Sequence, residues 1–162
     1  MKNYIDGFLT NLAGQKIMIA GFNGYIGTEF VYQLELNNIP YTGIDKTPSS
    51  KKNCLYFNLS DRKQVIDIIS TEKPDYYFHM ATHSALAYKN DFLDVFHEDT
   101  VALHNIISGL KNNNNTRLIY LSSSYAYSGL AIENTVNEET ILTPTHNFGL
   151  AKSFFEQMIL RV

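Results

Sequence analysis

The sequence predicts an α/β fold, a doubly wound parallel sheet, and three observations carry that prediction. Short apolar runs alternate with segments of helical periodicity along most of the chain. The first run, residues 16–20 (KIMIA), is apolar without alternation, as a parallel strand buried on both faces must be. It leads directly into glycines, and the segment beyond them places Ile26, Phe30 and Leu34 near helical spacing. A chain that repeats strand, helix, strand in this way closes parallel pairs through right-handed crossovers, with helices on both faces of the sheet. The 162 residues fit one domain, and 44% hydrophobic content supplies a core for it.

The elements follow in order. Residues 1–15 precede the first strand and are expected to form a short helix lying on the domain, an N-terminal extension. Residues 16–20 are the first strand and 25–37 the first crossover helix. Residues 40–45 and 54–58 read as the second and third strands. Asp61 is placed to cap a helix carrying Val65, Ile66, Ile68 and Ile69. Pro74 breaks the chain before a strand at 75–80. A long helix at 91–110 carries Phe92, Val95, Phe96, Val101 and Leu103, and a strand at 117–122 follows a polar loop at 112–115. Residues 149–160 close the pattern with a helix whose Phe154, Phe155, Met158 and Ile159 make a broad apolar surface.

Composition narrows the function classes. Lys and Arg number 13 against 16 Asp and Glu, a net charge of −3, which lacks the basic face of a nucleic-acid binder. A single cysteine, Cys54, excludes an internal disulfide framework and a multi-cysteine metal site. His79 and His83 are spaced i,i+4 but straddle a strand end with no third ligand, so no metal site is expected. The chain contains no long apolar run and opens without a basic-then-apolar leader pattern. The expectation is a soluble cytoplasmic domain without a nucleic-acid or membrane partner.

The most informative segment is Gly21-Phe22-Asn23-Gly24-Tyr25-Ile26-Gly27, between a strand and a helix. In that context Gly21 permits a tight turn, Gly24 lets backbone approach a pyrophosphate, and Gly27 lets helix and strand pack closely. The helix N-terminus offers its N–H groups to the phosphates. The second strand ends in Gly43-Ile44-Asp45, about 20 residues on, where an acid binds a ribose diol. Asp45 would repel a 2′-phosphate, so NAD is preferred to NADP, with Lys46 beside it working in the opposite sense.

This glycine spacing resembles that of the extended short-chain dehydrogenase/reductases, the NAD-dependent epimerase/dehydratase family. The likeness continues through Asn58-Leu59-Ser60-Asp61, residues 74–81 (PDYYFHMA), the triple serine Ser122-Ser123-Ser124, Pro144 and the helix carrying Lys152. Its motif spacing is most similar to the UDP-galactose 4-epimerase branch. The resemblance implies a Rossmann-type NAD-binding domain over residues 16–162, with NAD as cofactor and a nucleotide sugar as substrate. It implies that Gly21, Asn23, Gly24, Tyr25, Ile26 and Gly27 hold the pyrophosphate and that Asp45 and Lys46 meet the adenosine ribose. Asn58 and Leu59 would face adenine, with Asn58 departing from the family's acid. Met80, Ala81 and Thr82 would line the nicotinamide side, with His79 a structural residue behind the cofactor. Ser124 matches the serine or threonine that hydrogen-bonds the reacting hydroxyl. Lys152 matches the lysine that assists the catalytic tyrosine and holds the nicotinamide ribose. The helices at 91–110 and 149–160 would pair two subunits into a homodimer.

The decisive departure is Phe148, which stands where the family has its acid/base tyrosine, four residues before Lys152. A phenyl ring has no ionisable group and moves no proton. Tyr125 and Tyr127, beside Ser124, are the nearby phenols that would have to substitute. The stretch 99–104 (DTVALH) also departs from the family's Asn-Val-x-Gly-Thr pattern. The expectation is therefore a cofactor-binding domain in which hydride transfer at a sugar hydroxyl is impaired. A non-catalytic cofactor-binding or dimerising remnant stays open beside it, as does an NADP-dependent sugar reductase, which Asp45 disfavours. Family members continue beyond the lysine helix into a C-terminal substrate-binding region. The chain ends at Arg161-Val162, so that region is expected to be absent, in a fragment or a reduced form.

Overall fold

The computed structural model describes residues 2–161 apart from 114, 132 and 134, with residues 2–6 described through their backbone. The chain runs α1 (Lys2–Leu12), β1 (Ile17–Ala20), α2 (Tyr25–Leu36), β2 (Tyr41–Asp45), β3 (Cys54–Tyr56), α3 (Arg62–Glu72), β4 (Tyr76–His79), α4 (Ala85–Asn90), α5 (Phe92–Leu110), β5 (Arg117–Tyr120) and α6 (Asn147–Ile159), with a 3-10 turn at Ser124–Tyr127. The five strands form one parallel sheet in the order β3-β2-β1-β4-β5. Every predicted strand and helix is present. Two elements are additional: α4, too short to show periodicity, and the 3-10 turn. Residues 114 and 162, within the predicted polar loop and at the chain end, lie outside the described residues.

Strand alternation divides the core between the two faces. Ile17 and Ile19 of β1 pack with Phe78, with Val31 and Leu34 of α2, and with Leu9 and Leu12 of α1. Met18 and Ala20 point to the other face, against Val65 and Ile69 of α3 and Ala102 and Ile106 of α5. The expected N-terminal helix thus does lie on the domain. Fully buried Leu12 fastens it, an anchor worth about 2 kcal/mol. A third cluster, Tyr88, Leu103, Ile107, Ala151 and Phe155, joins α4, α5 and α6.

Boundaries shift where polar side chains terminate elements. β3 stops at Tyr56, and Asn58 turns the chain by accepting the Ser60 N–H at 3.0 Å. Asp61 caps α3 as expected, accepting from Gln64 N at 3.0 Å. The strand order also fixes where a ligand site forms. The chain winds outward from β1 to β2 and β3, then returns to place β4 on the opposite side of β1. The crevice above the carboxyl ends of β1 and β4 is the topological switch point of such a sheet.

Candidate functional site

The glycine turn occupies that switch point. Gly21 has φ +84°, and a Cβ there would lie 2.6 Å from Ala81 N in the loop after β4. Only glycine reconciles that backbone with that approach. A Cβ on Gly27 would fall 2.1 Å from the Gly21 carbonyl oxygen, so α2 lies directly on the turn. Gly24 precedes α2 in an extended conformation, and no side chain caps the helix. The first-turn N–H groups therefore face the crevice end without a local acceptor, the arrangement that binds phosphate.

A cavity of about 360 Å3 opens beside this turn. Of the residues expected at the cofactor, Gly21, Asn23, Gly24, Asp45, Lys46, Asn58, Leu59, Met80, Ala81 and Thr82 line it. Tyr25, Ile26 and Gly27 are not in its wall: Tyr25 and Ile26 are exposed on the first turn of α2, and Gly27 serves packing. Asp45 is held by two backbone donors, Asn23 N to Oδ2 at 3.1 Å and Thr47 N to Oδ1 at 2.9 Å. The Asn23 amide in turn donates to Thr47 O at 2.7 Å, closing a brace between the glycine turn and the end of β2. Each Asp45 oxygen keeps a lone pair, so the fixed carboxylate fits a ribose diol. The cradle that a Cβ would fill, the uncapped helix and this acid together fit a dinucleotide such as NAD.

Sequence reasoning missed two polar groups that shape the cavity. Buried Asn105 of α5 donates to Leu59 O at 2.9 Å and Ser60 O at 3.2 Å, holding the loop that presents Asn58 and Leu59. Asp99, whose position was noted only as a departure, accepts from Tyr88 OH at 2.8 Å and from His83 N at 3.1 Å. Its other oxygen lies 2.7 Å from His83 Nδ1. A side chain 46 residues from its partner loop, as Asn105 is from Leu59, leaves no local spacing signal.

Lys152 lies behind Thr82, outside the cavity wall and only 3% exposed. Its Nζ donates to Leu121 O at 2.8 Å and to Thr82 Oγ1 at 3.0 Å. The ammonium also sits 4.8 Å from the centre of the Tyr120 ring and 5.4 Å from that of Phe148. Positions 148 and 152 thus share a face of α6, as their spacing implies. Burial pulls the lysine down to about 8, while the carboxylates of Asp99 and Glu156 pull it the other way. His79 beneath it is fully buried, and burial together with the Lys152 charge holds it neutral, down to about 3. Its Nδ1 has no hydrogen-bond partner.

Ser124 is exposed at the start of the 3-10 turn. That turn abuts α6 so closely that a Cβ on Gly149 would meet Tyr125 O at 2.2 Å. Ser124 and Lys152 are thereby brought to the same end of the sheet. The Tyr125 ring sits edge-on to Phe148, with centroids 5.8 Å apart. Phe148 itself packs against Tyr88 at 5.5 Å, on the margin of the third core cluster.

The chain has relatives of known kind. It is 28% identical to the UDP-glucose 4-epimerase of Mycoplasma pneumoniae over 90% of its own length and 47% of the relative's. It is 25% identical to the dTDP-D-glucose 4,6-dehydratase of Dictyostelium discoideum, over 98% of this chain and 42% of that one. The chain therefore spans about half the length of the curated relatives it matches. Among solved structures, the NAD complex of Thermus thermophilus UDP-glucose 4-epimerase superposes with a TM-score of 0.79 at 17% identity, covering 90% of this chain and 50% of that one. The L-threonine dehydrogenase of Clostridium difficile also gives 0.79, at 18% identity over 90% of this chain and 48% of that one. These likenesses establish the Rossmann-type fold. The family model of the NAD dependent epimerase/dehydratase family matches residues 17–162, and the chain belongs to that family.

Proposed function

We propose that residues 16–162 are the NAD-binding domain of a nucleotide-sugar epimerase- or dehydratase-like protein whose hydride-transfer step is impaired by Phe148. The observation that carries the reading is the joint geometry of the glycine turn and the doubly braced Asp45 at one switch-point crevice, with buried Lys152 behind it bonded to Thr82 of the wall. Gly21, Asn23 and Gly24 bind the diphosphate and Asp45 the adenosine ribose, while Asn58 and Leu59 flank adenine. Met80, Ala81 and Thr82 form the nicotinamide side. NAD, when bound, supplies the hydride acceptor for oxidation of a sugar carbon. The chain's own contribution would be to hold the sugar hydroxyl through Ser124 and to remove its proton. Phe148 leaves that last role empty, because its ring offers no acceptor. Lys152 is in place beside the ring but faces no phenol there.

The sugar substrate class is supported by the relatives, which are named for UDP-glucose and dTDP-D-glucose. A homodimer through α5 and α6 is part of the proposal, supported by Leu93, Leu150 and Phe154, which leave large apolar side chains on the surface. Among the described residues no helix is long and apolar enough to cross a membrane.

Two measurements test the reading. Calorimetry should show NAD binding, and absence of heat at saturating NAD refutes the domain assignment. Restoring the acid/base group with Phe148→Tyr should raise NADH formation on UDP-glucose by ~10²- to 10⁴-fold, the usual contribution of a positioned proton acceptor. Equal and detectable rates in both proteins refute the impairment.

A further inference from the structure

We propose that the Asn23-Gly24 step of the glycine turn is a site of spontaneous modification, at which deamidation of Asn23 ends dinucleotide binding. The loss of binding rests on the NAD-binding reading above; the modification itself does not. Asn23-Gly24 is the one place in the chain where a glycine follows an asparagine. Glycine has no Cβ to shield its backbone nitrogen, so that nitrogen reaches the side-chain carbonyl of the preceding asparagine with least hindrance. Both residues line the cavity, and Gly24 is exposed while Asn23 is half-buried.

The step needs only water. The Gly24 nitrogen gives up its proton to hydroxide and attacks Asn23 Cγ. The new C–N bond closes a succinimide ring as the Cγ–Nδ2 bond breaks, and Nδ2 leaves as ammonia with a proton from water. Water then opens the ring at either carbonyl, giving aspartate or, with the main chain rerouted through the side chain, isoaspartate. Nothing is oxidised or reduced: an amide and water become a carboxylate and ammonium. In the closed turn both reacting groups are engaged, Gly24 N donating to Gly21 O at 3.1 Å and Asn23 Nδ2 to Thr47 O at 2.7 Å. The Thr47 bond is exposed and so is Gly24, and contacts of this kind open locally without unfolding the domain.

The product does not fit the turn. Thr47 O accepts from the Asn23 amide, whereas an ionised carboxylate in its place only accepts, so two acceptors would face each other at 2.7 Å. The Asp45 carboxylate, which accepts from the Asn23 backbone N–H at 3.1 Å, puts a second negative charge beside the new one. The diphosphate that the turn holds on the proposed reading brings further negative charge to the same wall. Isoaspartate adds a methylene to the main chain of a turn without slack, because a Cβ on Gly27 would already lie 2.1 Å from Gly21 O. A diphosphate bound to the turn keeps it closed, so the ligand protects the residue on which its own binding depends.

Ageing the purified chain in mildly alkaline buffer, with and without NAD, tests this by peptide mass spectrometry and by ion exchange, which separates the more acidic product. Asn23 should convert ahead of the asparagines at 112–115, whose following residues all carry side chains. NAD at about ten times its Kd should slow the conversion by roughly tenfold, as mass action on the closed turn requires. Gly24→Ala, which shields the nitrogen, should slow it severalfold without ligand. The separated acidic species should bind NAD at least about tenfold more weakly than fresh protein and melt roughly 2–4 °C lower through loss of the brace. Asn23→Asp should reproduce both losses, and if that variant fails to fold the separated species decides. An Asn23 that lags behind residues 112–115, or that converts equally fast with NAD bound, overturns the proposal. An acidic species of undiminished affinity overturns the link to binding while the NAD reading stands. Fresh protein that binds no NAD overturns that reading, while conversion at Asn23 and the lowered Tm still decide the modification.

Discussion

Gly27→Ala separates the packing role of the glycine turn from its binding role. The added methyl would sit 2.1 Å from the Gly21 carbonyl oxygen and 2.8 Å from Phe22 Cα. Both atoms are backbone, so no side chain can rotate away. The shorter contact is roughly 1.4 Å inside the ~3.5 Å of a relaxed carbon contact, and α2 must move off the turn by a comparable amount. Overpacking of this kind costs about 1–3 kcal/mol, and a backbone obstacle puts the figure near the top of that range. Alanine's better helix propensity returns at most ~1 kcal/mol, which leaves a net loss of about 2 kcal/mol. For a domain of this size that lowers Tm by roughly 4–8 °C. Gly24→Ala is the internal control. Its Cβ would meet only Gly21 O, at 3.2 Å, from an ordinary extended backbone. It should change stability by less than ~1 kcal/mol while weakening NAD binding, since Gly24 is in the cavity wall. Urea melts and calorimetry on both variants supply the readouts. A Gly27→Ala protein with unchanged or raised Tm would refute the reasoning, because the close approach of α2 to the turn would then be dispensable.

Lys152→Met tests the cost of the buried ammonium. With a folded value of about 8 against ~10.4 in the unfolded chain, the unfolded state binds more protons between those two pH values. Wild-type stability should therefore rise relative to Lys152→Met from about pH 8 to 10.5, by on the order of 3 kcal/mol, and a flat difference in chemical melts over that window refutes it. The proposed dimer is checked by sedimentation: wild-type protein should form dimers at micromolar concentration, Leu93→Glu with Phe154→Glu should give monomers, and a monomeric wild type refutes the interface.

The sheet was legible because burial on both faces leaves a compositional trace. Residues 17–20 are apolar at every position, and all four are buried. The glycine turn was legible because its demands fall within one short segment: a positive φ at Gly21 and a close approach at Gly27 admit little else. Asp45 belongs with them, since a strand of fixed length carries it to the crevice. Pairs distant in sequence are another matter. The contact of Asn105 with Leu59 and that of Asp99 with His83 depend on how α5 crosses the sheet, and periodicity fixes the face of a helix but not its partners. α4 escaped notice because its six residues complete fewer than two turns.

Phe148 shows why sequence reading reached further into chemistry than into packing at this site. Loss of the hydroxyl is a statement about one functional group, and no coordinates are needed to see that a phenyl ring moves no proton. The structure adds why the fold tolerates it. The ring contacts Tyr88 and Tyr125 and lies beside the Lys152 ammonium, so its faces and edges are occupied by partners a phenol would also satisfy. Lys152 does not need the missing oxygen either, because Leu121 O and Thr82 Oγ1 already accept from it. The substitution therefore leaves no buried orphan at the lysine, and stability places no pressure on restoring tyrosine. Among the described residues, the buried polar atoms without a partner nearest the lysine are His79 Nδ1 and the Tyr120 hydroxyl. On the proposed reading, a phenol at position 148 would meet the same neighbours as the phenyl ring, which is why Phe148→Tyr is expected to change turnover far more than stability.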